Sequence, residues 1–117
     1  MAKYERVLTG DFDEFLHYIE GGILSGSATV HLEDSSNMQL GDVHCAVRVF
    51  ERYSIAGKTR LSMSVTLLGR GKGRTDDLHL CAITSGGSGA VLFKLNRIGE
   101  GTFLDNLIEL VNKYNSR

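Results

Sequence analysis

The fold is decided by two stretches of alternating character, VHCAVRV at residues 43–49 and LSMSVTL at residues 61–67. In both, an apolar residue stands at every second position, a spacing that places one set of side chains on a single face of a β-sheet. Between them, residues 54–57 read Ser-Ile-Ala-Gly, which is typical of a loop. The two stretches therefore predict a pair of adjacent antiparallel strands.

Shorter stretches of the same kind extend the sheet on both sides. With them, the candidate strands cover residues 4–8, 28–33, 43–53, 58–68, 78–84 and 90–95. The segments Asp34–Asn37 and Ser85–Gly89 supply turn residues between consecutive strands. We therefore expect an antiparallel sheet of about five to six strands.

An amphipathic helix is predicted near the start of the chain. Asp11 and Glu14 have the spacing of a capping box, with Asp in place of Ser or Thr. The residues that follow repeat apolar side chains at helical intervals. We expect this helix to end at Gly21 and Gly22, because glycine favours the end of a helix. The alternative is an extension by one turn through Ile23 and Leu24.

A second helix is predicted at the end of the chain. Thr102 and Asp105 again have capping-box spacing, and residues 103–114 carry a wide apolar stripe that suits the cover of a sheet. The fold class that follows is α+β, an antiparallel sheet of about five to six strands with an N-terminal helix and a longer C-terminal helix packed on it.

Two strand registers follow from the requirement that apolar residues share a face. Between the second and third strands, Val30 is expected opposite Cys45. Between the third and fourth strands, Val47 is expected opposite Met63. The core face then takes up these four residues together with Val65, and the other face stays mixed.

Composition limits the function classes. The 117 residues carry a net charge of −1, with 42% hydrophobic and 23% charged residues, which is typical of a single globular domain over residues 1–117. A chain this close to neutrality has no field that attracts nucleic acid or an anionic membrane. No apolar run approaches the roughly 20 residues that cross a bilayer. Two cysteines without ligand spacing indicate reduced thiols, so we expect a cytoplasmic protein.

The order of elements is strand, helix, antiparallel strands and C-terminal helix, which resembles the helix-grip layout of START-like and Bet v 1-like ligand carriers. In that layout the last helix lies over a curved sheet and roofs a cavity, so the resemblance implies a small apolar ligand. The segments Gly10-Asp11-Phe12-Asp13-Glu14-Phe15 and Gly101-Thr102-Phe103-Leu104-Asp105 are similar to those of small uncharacterised bacterial proteins. This second resemblance carries no catalytic residue over.

Three sets of residues are candidates for binding. Apolar residues that face the last helix would line a ligand cavity: Val43, Val47, Met63, Val65, Leu107 and Val111. Cations and free backbone amides near two glycine-rich segments would bind an anion such as phosphate: Arg70, Lys72, Arg74, Arg97, Gly101 and Thr102. Apolar residues that interrupt the second sheet face would form an interface: Ala46, Phe50, Leu68, Cys81 and Ile83.

Neither a catalytic centre nor a metal site is predicted. In the expected register His31 lies opposite His44, but zinc needs further ligands and only Glu33 stands nearby. Cys81 has His79 two residues away on the same face, without the third group that orients a nucleophilic pair. We therefore expect no catalytic residue, no metal and no cofactor, and an enzyme is the least supported class.

The function predicted is a non-catalytic binding or interaction module that self-associates, as a homodimer, through a sheet face or edge. Two alternatives stay open. One is a carrier of a small apolar ligand, with a cavity between the C-terminal helix and the sheet. The other is a binder of phosphate or of a nucleic-acid backbone through the basic loop at residues 69–74, although the net charge argues against nucleic acid.

Overall fold

The structure is a computed structural model that describes residues 1–54, 59–71, 77–86 and 103–115. Along the chain these residues form β1 (Ala2–Thr9), α1 (Phe12–Ser25), β2 (Val30–Leu40), β3 (Val43–Ser54), β4 (Thr59–Arg70), β5 (Asp77–Ser85) and α2 (Phe103–Asn115). The five strands make one antiparallel sheet in the order β1-β5-β4-β3-β2. The α+β class is confirmed, and the strand predicted at residues 90–95 lies outside the described residues.

The two helices pack together on one face of the sheet. α1 lies over β2 and β4, and α2 lies over β1, β4 and β5. The core fills the space between the helices and the sheet, and its largest fully buried side chains are Phe15, Ile19, Phe50, Leu61, Met63, Val65, Leu67, Leu78, Phe103, Leu107 and Val111. In the described part of the chain, no helix lies on the opposite face of the sheet.

α1 begins where the spacing predicts and ends later than expected. The Asp11 carboxylate accepts a hydrogen bond from the backbone nitrogen of Glu14 at 2.9 Å, which caps the helix. The helix then continues through Gly21 and Gly22 to Ser25, so the end at the glycines is wrong and the alternative extension through Ile23 and Leu24 is confirmed. α1 has 14 residues and the described α2 has 13, so the two helices are of similar length.

A close contact with α2 explains why glycine stands inside α1. A Cβ atom on Gly22 would lie 2.5 Å from a methyl carbon of Leu110, so this glycine lets the two helices approach each other. Next to it, the Tyr18 hydroxyl donates a hydrogen bond to the Leu110 carbonyl oxygen at 2.7 Å. The rings of Phe15 and Tyr114 also meet edge to face, with centroids 4.9 Å apart.

The turn between β2 and β3 lies at Gly41 and Asp42, so the turn predicted at Asp34–Asn37 is wrong. Gly41 has a φ of 61°, the left-handed conformation that a two-residue hairpin turn needs and that glycine adopts without strain. Residues 34–37 instead continue β2 after a β-bulge between Leu32 and Asp34.

The later turn changes the pairing of β2 with β3. Val30 lies opposite Arg52 and not opposite Cys45, so that predicted register is wrong. Cys45 lies opposite Met38, on the side of the sheet away from the helices. Its side chain is therefore half-buried rather than part of the core.

The register of β3 against β4 also differs from the prediction. Val47 lies opposite Thr66, three residues beyond the predicted partner Met63. Because side chains alternate along a strand, an odd shift exchanges the two faces. Ala46 and Phe50 consequently face the helices, and Val47 faces away from them. The bulky ring of Phe50 fills the core in the observed register and would lie outside it in the predicted one.

Arg48 is a charged side chain in the buried layer, with 8% of its surface exposed. Its Nε donates a hydrogen bond to a carboxylate oxygen of Glu20 on α1. Its Nη1 donates to the carbonyl oxygens of Ser36 at 3.2 Å and Val47 at 3.0 Å. A guanidinium in the interior needs such partners, because an unpaired buried charge is costly. The ion pair therefore joins α1 to the middle of β3.

Gly21 and Gly22 provide a matched test of the helix contact. Gly21→Ala should raise the free energy of unfolding by about 0.5–1 kcal/mol, since alanine is the better helix former and no atom lies within 4 Å of the new Cβ. Gly22→Ala should lose that gain because its Cβ would press on Leu110. Urea unfolding measures both variants, and equal gains would contradict a close helix approach at Gly22.

The Arg48 ion pair can be tested from its acidic partner. Glu20→Ala should lower the free energy of unfolding by about 1–3 kcal/mol, because it leaves the guanidinium buried without a carboxylate. Glu20→Gln keeps an acceptor oxygen in place and should lose less. Thermal unfolding followed by circular dichroism measures the difference, and equal losses in the two variants would refute the role given to the carboxylate.

Candidate functional site

The candidate site is the face of the sheet that the helices leave uncovered, which we name the open face. Strand alternation and the observed registers define its members. They are Lys3, Glu5, Val7 and Thr9 of β1, Asp77, His79, Cys81, Ile83 and Ser85 of β5, Arg60, Ser62, Ser64, Thr66, Leu68 and Arg70 of β4, Val43, Cys45, Val47, Val49, Glu51 and Tyr53 of β3, and His31, Asp34, Ser36, Met38 and Leu40 of β2.

The open face bears apolar side chains that are only partly covered. Val47 and Val49 are half-buried by their neighbours on the adjacent strands. Leu68 and Ile83 keep 41% and 39% of their surfaces exposed. Leu68 lies opposite Cys45 and diagonal to Val47, so these side chains form one patch across β3 and β4. On β4, Ser64 and Thr66 separate Val47 and Val49 from Ile83. A continuous apolar patch on a folded protein marks a surface that binds something.

Three ion pairs lie towards the margins of the open face. The pairs are Lys3 with Glu5 (3.1 Å), Glu51 with Arg60 (3.5 Å) and Asp42, in the turn after β2, with Arg70 (3.2 Å). The first pair lies on an edge strand, and the other two lie at opposite ends of β3 and β4. The open face therefore combines an apolar patch, which includes Val47 and Leu68, with charges near its margins, several of which are paired within the chain.

A shallow hollow of about 300 Å³ indents the open face between β1, β5 and β4. Val7, Thr66, Leu68, His79 and Cys81 are among the residues that surround it. Its walls are mostly apolar, so it can receive an apolar side chain of a partner.

A larger, polar cleft of about 540 Å³ lies on the side of the sheet that the helices cover. Arg6, Thr9, Glu14 and Tyr114 line it. Its charged groups already have partners within the chain, since Tyr114 donates to the Glu14 carboxylate at 3.1 Å and Arg6 donates to Asn112 at 3.2 Å. The open face is the better candidate because its apolar surface has no comparable cover in the described residues.

The predicted interface residues divide between the two layers. Leu68, Cys81 and Ile83 lie together on the open face. Ala46 and Phe50 are buried under the helices, with 1% of each residue exposed, and this part of the prediction is wrong. The reason is the register of β3 against β4. Its odd shift exchanges the two faces of β3 relative to the prediction, whereas β4 and β5 keep the faces predicted for them.

The predicted cavity lining divides in the same way. Met63, Val65, Leu107 and Val111 lie between the sheet and α2, where at most 1% of each residue is exposed. Val43 and Val47 lie on the open face, so they cannot line a cavity under the last helix. The predicted set of six is therefore not brought together.

Of the predicted anion-binding residues, the structure describes Arg70. Its guanidinium is exposed and pairs with Asp42 at 3.2 Å. Lys72, Arg74, Arg97, Gly101 and Thr102 lie outside the described residues. The anion site stays a prediction.

Sequence reasoning missed the apolar residues that β2 and β3 contribute to the open face. The predicted register places Val49 on the core face with Val47, and the turn predicted at Asp34–Asn37 places Met38 and Leu40 in a connection. The signal that identifies them is Gly41-Asp42 between apolar alternating residues, which is the composition of a two-residue hairpin turn.

Together these features define a two-layer α+β protein whose sheet is covered by helices on one side and bears an apolar patch on the other. A family model matches residues 1–115, and the chain belongs to that family, the Family of unknown function (DUF6054). No curated protein matches the chain. Neither described helix is long and apolar enough to span a membrane. The similarity to proteins of unknown function is borne out, and the helix-grip resemblance stays a prediction.

A pair of valines tests which face is which. Val47→Asp should leave the fold intact, because the new carboxylate would lie on the open face within reach of water. Val65→Asp should unfold the protein, because it places an unpaired charge in the core. Circular dichroism and thermal unfolding distinguish the two variants. Unfolding caused by Val47→Asp would show that its face is covered within the chain itself.

Proposed function

We propose that this protein is a non-catalytic interaction module that forms a homodimer by packing the open faces of two copies against each other. The observation that carries the proposal is the apolar patch centred on Val47, Val49 and Leu68, which the described helices leave uncovered. A second copy of the chain presents the same patch, as a two-fold dimer requires.

The size of the open face supports a dimer. The sheet has five strands, and strands about 4.8 Å apart and about ten residues long, at about 3.3 Å per residue, give a face of roughly 800 Å². A stable protein–protein interface takes about 800 Å² from each partner. The open face of one copy therefore matches the area that a dimer needs.

The distribution of charge supports the same occupant. Stable interfaces combine buried apolar side chains with a polar rim, and the open face has an apolar patch around Val47 and Leu68 with charged groups towards its margins. Three ion pairs near its margins form within one chain, as Lys3 with Glu5 illustrates at 3.1 Å. Two copies can then approach without strong repulsion between like charges. A strongly charged partner would find no complementary field on such a surface.

Two leucines of equal exposure provide a matched test. Leu68, on the open face, is 41% exposed, and Leu24, on α1 in the other layer, is 40% exposed. Leu68→Asp should raise the dissociation constant of the dimer at least tenfold, because each copy would bury a carboxylate against the other. Leu24→Asp should leave the dissociation constant unchanged. Sedimentation velocity over a range of concentrations measures it.

Three results would overturn the proposal. The wild-type protein could stay monomeric at the highest concentration tested. The two aspartate variants could weaken the dimer equally, which would indicate a loss of stability rather than of an interface. A dimer unaffected by Leu68→Asp would place the contact elsewhere, for example at the outer edge of β2. Circular dichroism of both variants confirms that each is folded.

A further inference from the structure

Three side chains with metal-binding atoms converge where β2 and β3 pair, at the margin of the open face. They are His31 and Glu33 of β2 and Glu51 of β3, and their ligand atoms all lie within 4.8 Å of one another. We propose that these three residues bind a divalent transition-metal ion, with zinc as the representative ion.

The backbone brings the three ligands together. His31 and Glu51 are directly opposite in the β2–β3 ladder, so their side chains share one side of the sheet. Glu33 stands in the β-bulge between Leu32 and Asp34, where the alternation of β2 is interrupted. Its carboxylate hydrogen-bonds the Nε2 atom of His31. His31 and Glu51 therefore come from paired positions of the two strands, and Glu33 comes from the bulge within β2 rather than from a loop.

The donor atoms decide which ions fit. One imidazole nitrogen and two carboxylate oxygens are ligands of zinc, which is bound at about 2.0–2.2 Å by these groups in tetrahedral sites. Three protein ligands would leave a fourth position for water. Calcium and magnesium prefer oxygen ligands alone, so the histidine selects against them.

The local charges also favour a cation. The carboxylates of Glu33 and Glu51 lie close together, and the Glu51 side chain is only 21% exposed. The guanidinium of Arg60 approaches Glu51 at 3.5 Å, which is longer than a good charge-assisted hydrogen bond. A divalent ion between the carboxylates would compensate both negative charges, and Arg60 would compete with it for Glu51.

The predicted register concealed this cluster. It placed His31 opposite His44, so that a second histidine and not a carboxylate appeared to be the cross-strand partner. In the observed register His44 lies opposite Gln39, and Glu51 takes the place beside His31. Metal binding by these three residues does not require self-association through the open face.

Isothermal titration of the untagged protein with zinc chloride tests the proposal. We expect one zinc ion per chain and no comparable binding of magnesium or calcium. His31→Ala and Glu51→Gln should each weaken zinc binding at least tenfold, since each removes one of three ligands. Arg60→Gln should strengthen it severalfold, because it removes the competing cation.

The matched control is His79→Ala, an exposed histidine on the same face that is not part of the cluster. It should bind zinc as the wild type does. An absence of saturable binding would overturn the proposal, as would an equal loss in the His79 and His31 variants. Equal binding of zinc and calcium would exclude a ligand role for His31. Leu68→Asp should bind zinc normally, which separates this result from that for the dimer.

Discussion

The pairing of Phe50 with Met63 across β3 and β4 is the constraint on which the rest of the structure depends. Both side chains are almost completely buried beneath the helices. Because side chains alternate, this pair sends Val47 and Val49 to the opposite face. The same alternation turns Arg48 towards the helices, where Glu20 neutralises it. The core, the ion pair with α1 and the apolar open face are thus three results of a single strand register.

Local patterns were sufficient to predict the elements but not how they meet. Asp11 begins a helix because its carboxylate bonds a nearby backbone amide, and such a contact is visible from spacing alone. Gly22 looks like a helix end because glycine is common at that position. Its role depends on Leu110 of a distant helix, and no local pattern contains that information. The Gly41-Asp42 turn was likewise hidden by the richer turn composition of residues 34–37.

The residues of the open face could be predicted only where the register between strands was predicted correctly. Leu68 and Ile83 were placed on the same face as each other because alternation within β4 and β5 is regular. Phe50 was placed with them in error because an odd shift between two strands reverses one of them completely. Glu51 was not recognised as the partner of His31 for the same reason. Pairing between strands is set by turns and by the packing of the whole core, which periodicity in one strand does not report.

The bulge in β2 has a consequence for how this chain can vary. The apolar residues of β2 all have even numbers, namely Val30, Leu32, Met38 and Leu40. Regular alternation would place them on one face, but the extra residue sends the first two towards the helices and the last two to the opposite side. Deletion of Glu33 would leave the composition almost unchanged. It would nevertheless remove the bulge, so that the residues on one side of it would move to the opposite face of the sheet. In β2, a change of length by one residue therefore disturbs the fold more than most changes of residue type.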